Sequence, residues 1–146
     1  MIEKYMNIAL EEAKTAYLKN EVPVGAVIVK NGEIISKSHN IKASTNNILN
    51  HAEIIAILNA SEKLQNWRLN DCEMYVTLEP CPMCASAIQQ SRIKKVYIGT
   101  KSNISSNSKI DEMIFNSSDT YHVVEFEYLN NNKCSEILSS FFANKR

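Results

Sequence analysis

Two short segments constrain this chain more than anything else in it: His51-Ala52-Glu53 and Pro80-Cys81-Pro82-Met83-Cys84. They supply one imidazole, two thiols and a carboxylate that need not be a ligand. Three N/S ligands with an open fourth position hold a catalytic zinc, whereas a structural zinc takes four protein ligands. Pro82 suits the first turn of a helix, where a missing N–H costs nothing. Cys81 and Cys84 then lie on one face of that helix start. The positive end of the helix favours thiolate. His51 opens a different helix, so a fold that uses both segments brings two helix N-termini to the ends of neighbouring strands.

Other readings of the same residues exist. A Cys-x-x-Cys beside alternating strands can be a thioredoxin-like redox pair, but that leaves His51-Ala52-Glu53 unexplained. A structural zinc needs a fourth ligand. Cys72, Cys134, His39 and His122 qualify by type, and none has ligand-like spacing. Asn50-x-x-Glu53 resembles a capping box, in which Glu53 reaches back to the helix start. The catalytic reading makes Glu53 a proton carrier beside a metal that activates water near neutral pH.

The rest of the chain reads as strands alternating with helices. Ile2 to about Asn20 has helical spacing, with Met6, Ala9, Leu10, Ala13 and Tyr17 on one face. Val22 to Val29 is apolar and β-branched, Asn31-Gly32 signals a hairpin turn, and Glu33 to Ser38 is the returning strand. A polar loop, His39 to Asn50, leads to a helix whose apolar face carries Ile54, Ile55, Ile57 and Leu58. Met74 to Leu78 reads as a buried strand. The Pro82 helix runs to about Ser91, and Val96-Tyr97-Ile98 is a strand closed by Gly99. Residues 101–120 give no period. Tyr121 to Tyr128 reads as a last strand and Cys134 to Asn144 as a last helix. This order predicts one α/β domain over residues 1–146, three-layer α/β/α with a central mixed five-stranded sheet.

Lys+Arg and Asp+Glu number 16 each, so any nucleic-acid site must be a local patch. The cluster Arg92, Lys94, Lys95 and Lys101 is either a solvated face or such a patch. No run of about 18 apolar residues suggests a membrane span, and the N-terminus lacks a signal-peptide core. Cytoplasmic placement is the default, with reduced cysteines.

The His-x-Glu…Pro-Cys-x-x-Cys pattern is a signature of zinc-dependent nucleobase deaminases. With Glu21-Val22-Pro23-Val24-Gly25-Ala26-Val27, Asn40, Thr77-Leu78-Glu79, Ser91-Arg92-Ile93 and the closing Leu138-Ser139-Ser140-Phe141-Phe142, the chain resembles the bacterial tRNA-specific adenosine deaminases of the cytidine-deaminase-like superfamily. The resemblance covers most of the chain. It implies zinc on His51, Cys81 and Cys84, and Glu53 as proton shuttle. It implies Asn40 bonding the target base, Val24 lining the pocket and the Ala52 N–H facing the base edge. It also implies a homodimer acting on the wobble adenosine in a tRNA anticodon loop. Ala85, Ala87 and Ile88 on the Cys84 helix are the expected dimer contacts. Two loops depart from the family: Lys101 to Ser108 has no glycine and no acid at Ser102, and Ile48-Leu49-Asn50 precedes His51. A deaminase of a free base or nucleoside, of guanine or cytosine type, would share every metal residue. So would a non-catalytic partner subunit, although that has no need of Glu53.

Overall fold

A computed structural model describes residues 1–102, 114–116 and 122–144. Its elements are α1 (Ile2–Leu18), β1 (Gly25–Lys30), β2 (Glu33–His39), α2 (Lys42–Thr45), α3 (Ala52–Leu64), β3 (Cys72–Leu78), α4 (Pro82–Gln90), β4 (Lys95–Thr100), β5 (Glu125–Tyr128) and α5 (Asn132–Ala143). The sheet order is β2-β1-β3-β4-β5. β1 pairs antiparallel with β2 and β3, whereas β3–β4 and β4–β5 are parallel. The mixed five-stranded sheet is therefore as expected.

Strand alternation sorts the core into two layers. Ala26, Ile28, Met74, Val76, Val96 and Ile98 face α3 and α4. Val27, Val29, Tyr75 and Tyr97 face α1 and the start of α5. The hairpin turn is built as its sequence requires, with φ of 50° at Asn31 and 79° at Gly32.

Small residues set how closely the helices lie on the sheet. In α1, Ala9, Ala13 and Ala16 are fully buried. A Cβ on Gly25 would stand 1.9 Å from the Ala9 carbonyl oxygen and 2.7 Å from the Ala13 nitrogen. Neither backbone atom can move without shifting α1. Gly25→Ala is expected to cost about 3 kcal/mol or more, the upper end for overpacking. Urea unfolding measures it, and a loss within experimental scatter of zero would contradict this packing.

Several expectations are corrected. The buried face of α3 is Ala52, Glu53, Ala56 and Ala60, not the large residues. Ile54, Ile55 and Ile57 are half-buried and Leu58 is 61% exposed. The reason lies in β2: Ser36 Oγ donates to the Ala56 carbonyl at 2.8 Å and Ser38 Oγ to that of Ala52 at 2.6 Å. Those bonds draw the helix too close to the sheet for anything larger than alanine at positions 52, 56 and 60. The 39–50 loop contains a short helix, α2. Gly99 lies inside β4, where a Cβ would meet the Thr77 carbonyl and the Cys134 sulfur, each at 2.6 Å.

The last strand is shorter than Tyr121 to Tyr128. Tyr121 lies outside the described residues, and His122 and Val124 spend their polar groups on Ile93 and Phe115 before pairing begins at Glu125. No described helix is long and apolar enough to cross a membrane.

Candidate metal centre

β3 ends at Leu78, and the chain turns at once into α4. α3 begins at the same end of the sheet, because it runs back toward the start of β3. The carboxyl ends of sheet strands are where ligands bind in α/β folds.

His51 is the N-cap residue of α3 and Cys81 that of α4, and neither side chain makes a capping hydrogen bond. A capping residue ordinarily gives its side chain to the free amides of the first turn. Here the two side chains turn toward each other instead. His51 Nδ1 lies 3.8 Å from Cys81 Sγ and 3.5 Å from Cys84 Sγ. All three donor atoms fall within 4.8 Å of one another. Tetrahedral zinc, with bonds of about 2.3 Å to sulfur and 2.0 Å to nitrogen, needs such atoms about 3.5 Å apart. The donor set therefore fits that ion in spacing as well as in softness.

The two thiols differ electrostatically. Cys81 is brought down to about 5, first by the hydrogen bond from Cys84 and then by amides of the α4 first turn and His51, against the effect of burial. Cys84 is pushed up by its hydrogen bond to Cys81, by burial and by Glu53. Without a cation the pair shares one proton, and a zinc held by both sulfurs would take both as thiolates. Glu53 is 4% exposed. Burial, with the Cys81 charge nearby, raises its carboxyl to about 7, against hydrogen bonds from its own amide and Cys84. A carboxyl at that value can both take and return a proton near neutral pH.

The capping box is not formed. Glu53 sits at the second position of α3, and Asn50 donates instead to Thr45 Oγ1 at 2.7 Å. Asn40 Oδ1 takes the Ala52 N–H at 2.7 Å, so Asn40 caps α3 from the end of β2. The resemblance treats Asn40 and Ala52 as two separate base contacts, whereas the structure places them as one bonded pair. Val24 is buried in the core under α3, and its carbonyl accepts the Asn40 N–H at 3.2 Å.

The remaining metal-type residues are elsewhere. His39 Nδ1 bonds Glu12 at 2.9 Å, His122 Nε2 bonds the Ile93 carbonyl at 2.9 Å, and Cys72 and Cys134 are buried in the two core layers. The basic cluster is not one patch. Lys101 follows β4 at the metal end, over the Tyr128 ring. Arg92 and Lys94 precede β4 at the far end, with Arg92 over Trp67. Lys95 is paired with Glu127 at 3.3 Å. Residues 103–108 of the glycine-free loop lie outside the described residues.

Sequence reasoning assigned nothing to two buried carboxylates near this end. Glu21 accepts the amides of Ala43 and Ser44 at 3.0 and 2.6 Å. Glu79 accepts the Ser102 amide at 3.0 Å and the Tyr128 hydroxyl at 3.3 Å. The signal was present: each is an acid set in an apolar run, Glu21-Val22-Pro23-Val24 and Val76-Thr77-Leu78-Glu79-Pro80.

Comparison with known proteins gives a consistent picture. Residues 1–100 match the cytidine and deoxycytidylate deaminase zinc-binding region. A tRNA-specific adenosine deaminase of Aquifex aeolicus is 44% identical over 149 residues, spanning 99% of this chain and 95% of that one. A solved structure from work on A-to-I editing by tRNA:A34 deaminases at the wobble position of transfer RNA superposes with a TM-score of 0.85. It is 37% identical and covers 93% of this chain and 99% of its own. Guanine deaminase from Bacillus subtilis is more distant in shape, with a TM-score of 0.67 at 31% identity, over 98% of this chain and 92% of that one.

Proposed function

Since this chain belongs to the cytidine and deoxycytidylate deaminase zinc-binding family, we propose that it hydrolytically deaminates adenosine to inosine at the wobble position of a tRNA anticodon loop. The observation that carries the chemistry is the convergence of His51, Cys81 and Cys84 beside a buried carboxylate. Full-length similarity to the Aquifex aeolicus protein favours tRNA adenosine over guanine. In this reading His51, Cys81 and Cys84 hold the zinc, which supplies Lewis-acid activation of water as the nucleophile. Glu53 takes one proton of the attacking water and gives it to ring N1, then carries the proton of the added hydroxyl to the amino nitrogen, so that ammonia leaves as the ring carbon becomes a carbonyl. Asn40, with its Oδ1 on the Ala52 amide, holds α3 in register, and the pair meets the base edge through the rest of the Asn40 amide group. Val24 closes the pocket from beneath.

The base must be out of a stacked duplex to reach such a site, and an anticodon loop presents it that way. Lys101 stands at the correct end to meet a phosphate. The enzyme acts in the cytoplasm, where its cysteines stay reduced.

The chain works as a homodimer, and of the three contacts expected from the sequence only Ala87 is open to a second copy. Ala85 and Ile88 are buried in the protomer's own core, and Ala87 is half-exposed. The exposed Leu58 of α3 and the nearby half-buried Ile54 are better placed to meet a second copy.

The test is incubation of the purified protein with a tRNA pool, with inosine read by sequencing and zinc counted in the same sample. Inosine at one anticodon position and one zinc per chain are expected. Inert tRNA beside rapid turnover of a free base or nucleoside would transfer the assignment to that substrate.

A further inference from the structure

Among the described residues three carboxylates are buried: Glu53, Glu21 and Glu79. The reaction uses the first. The other two are 3% and 7% exposed, and burying a charge is costly unless hydrogen bonds repay it. No cation among the described residues lies within ion-pair distance of Glu21. Its partners are the backbone amides of Ala43 and Ser44 together with the Ser44 hydroxyl. Burial alone would raise this carboxyl, but the Ser44 and Ala43 hydrogen bonds, with Lys42 nearby, together hold it below the usual range.

What Glu21 grips is the segment joining two site residues. Its amide donors lie in α2, inside the 41–50 loop between Asn40 and His51. That loop is also closed on itself: the Ile41 N–H donates to the Asn50 carbonyl at 3.1 Å, and Asn50 Nδ2 to Thr45 Oγ1 at 2.7 Å. A force on Ala43 or Ser44 therefore reaches both ends of the loop. One end is Asn40, which takes the Ala52 amide; the other is His51 itself. Glu79 does the same for the opposite wall. Its own amide donates to the Thr100 carbonyl at 2.9 Å while its carboxylate holds the Ser102 amide. Lys101 is thereby held between two neighbours that are both bonded to Glu79, the residue before Pro80.

We propose that Glu21 and Glu79 are positioning residues, one for the 41–50 loop and one for the Thr100–Ser102 segment that follows β4, and that together they set the spacing of these two segments at the metal end, where the substrate base enters. Their carboxylates act through the loops and do not touch the reacting atoms. The substrate part of this proposal rests on the deaminase reading; the loop-holding part does not.

The experiment compares wild type with Glu21→Gln and Glu79→Gln. Each amide side chain keeps the shape but loses charge and turns an N–H2 toward a backbone donor. Loss of one charge-assisted hydrogen bond corresponds to roughly a tenfold effect. A rise of about tenfold in KM for an anticodon stem-loop is expected, with kcat within about threefold and zinc unchanged. Amide hydrogen exchange should quicken at Ala43, Ser44 and Ala52 in Glu21→Gln, and at Ser102 in Glu79→Gln. Glu21→Asp, which keeps the charge but withdraws it by one methylene, should show the same pattern and serves if the glutamine variant does not fold. A lower melting temperature with wild-type KM and wild-type exchange at Ala52 would reduce Glu21 to a stability role and overturn the proposal. Wild-type protein that converts no RNA adenosine overturns the deaminase reading instead. In that case the Ala52 and Ser102 exchange rates still decide whether the loops are held as proposed.

Discussion

Glu53→Gln is expected to lose about a thousandfold or more in kcat, at the strong end for removal of a general acid–base, while keeping one zinc per chain. The side chain is nearly isosteric, so the buried volume beside Cys84 stays filled. What disappears is the ability to accept a proton from water and return it to the departing nitrogen. Single-turnover inosine formation measures the first effect, and metal analysis of the same preparation the second. A near-normal rate with full zinc would make Glu53 a structural acid at the start of α3 and remove it from the reaction.

Cys84→Ser should have the second largest effect, and on the whole molecule. Cys84 is fully buried two residues into α4, with its sulfur 3.5 Å from His51 Nδ1. Serine replaces a soft thiolate with a poor zinc ligand and leaves a hydroxyl in the core. Zinc content should fall well below one per chain and turnover should vanish. The melting temperature should drop, because a bound metal contributes to folding roughly 4 kcal/mol when present at a thousand times its Kd. A strong chelator added to wild type should reproduce the loss of activity and most of the melting shift. Unaltered melting and turnover after chelation would show that the three side chains hold no functional metal.

The parts of the fold legible in the sequence were those set by local chemistry. Asn31-Gly32 had to turn, because both positions carry positive φ. Pro82 had to open α4, and the β-branched runs became central strands. The metal cluster was legible for the same reason: its members lie at helix starts, where a few neighbouring residues decide direction.

The misreadings all involve distant partners. Ile54, Ile57 and Leu58 outweigh Ala52, Ala56 and Ala60 in any hydrophobic pattern. The hydroxyls of Ser36 and Ser38, a strand away, decide which face goes in. Asn50-x-x-Glu53 reads as a capping box until Asn40 is seen to occupy that role from β2. Arg92 and Lys101 are neighbours in a list of basic residues, yet β4 separates them by its full length.

The two helices are packed along their length, but they present their ligands only at their starts, and this gives the protein a working pole and a supporting pole. At the far pole the chain leaves α3 through Gln65 and enters β3 after Asp71, both at positive φ; it leaves α4 through Arg92, also at positive φ. The two turns are tied mainly to each other, through Leu69 N–H to the Ser91 carbonyl at 2.7 Å and Lys94 N–H to that of Cys72 at 2.9 Å. Residues 65–68 are exposed, so an insertion there is expected to leave every donor atom in place. The same insertion in the 41–50 loop would push Asn40 and His51 apart. Descendants of this chain can therefore lengthen at one pole, acquiring tags, partners or new surfaces there, while the opposite pole keeps its dimensions.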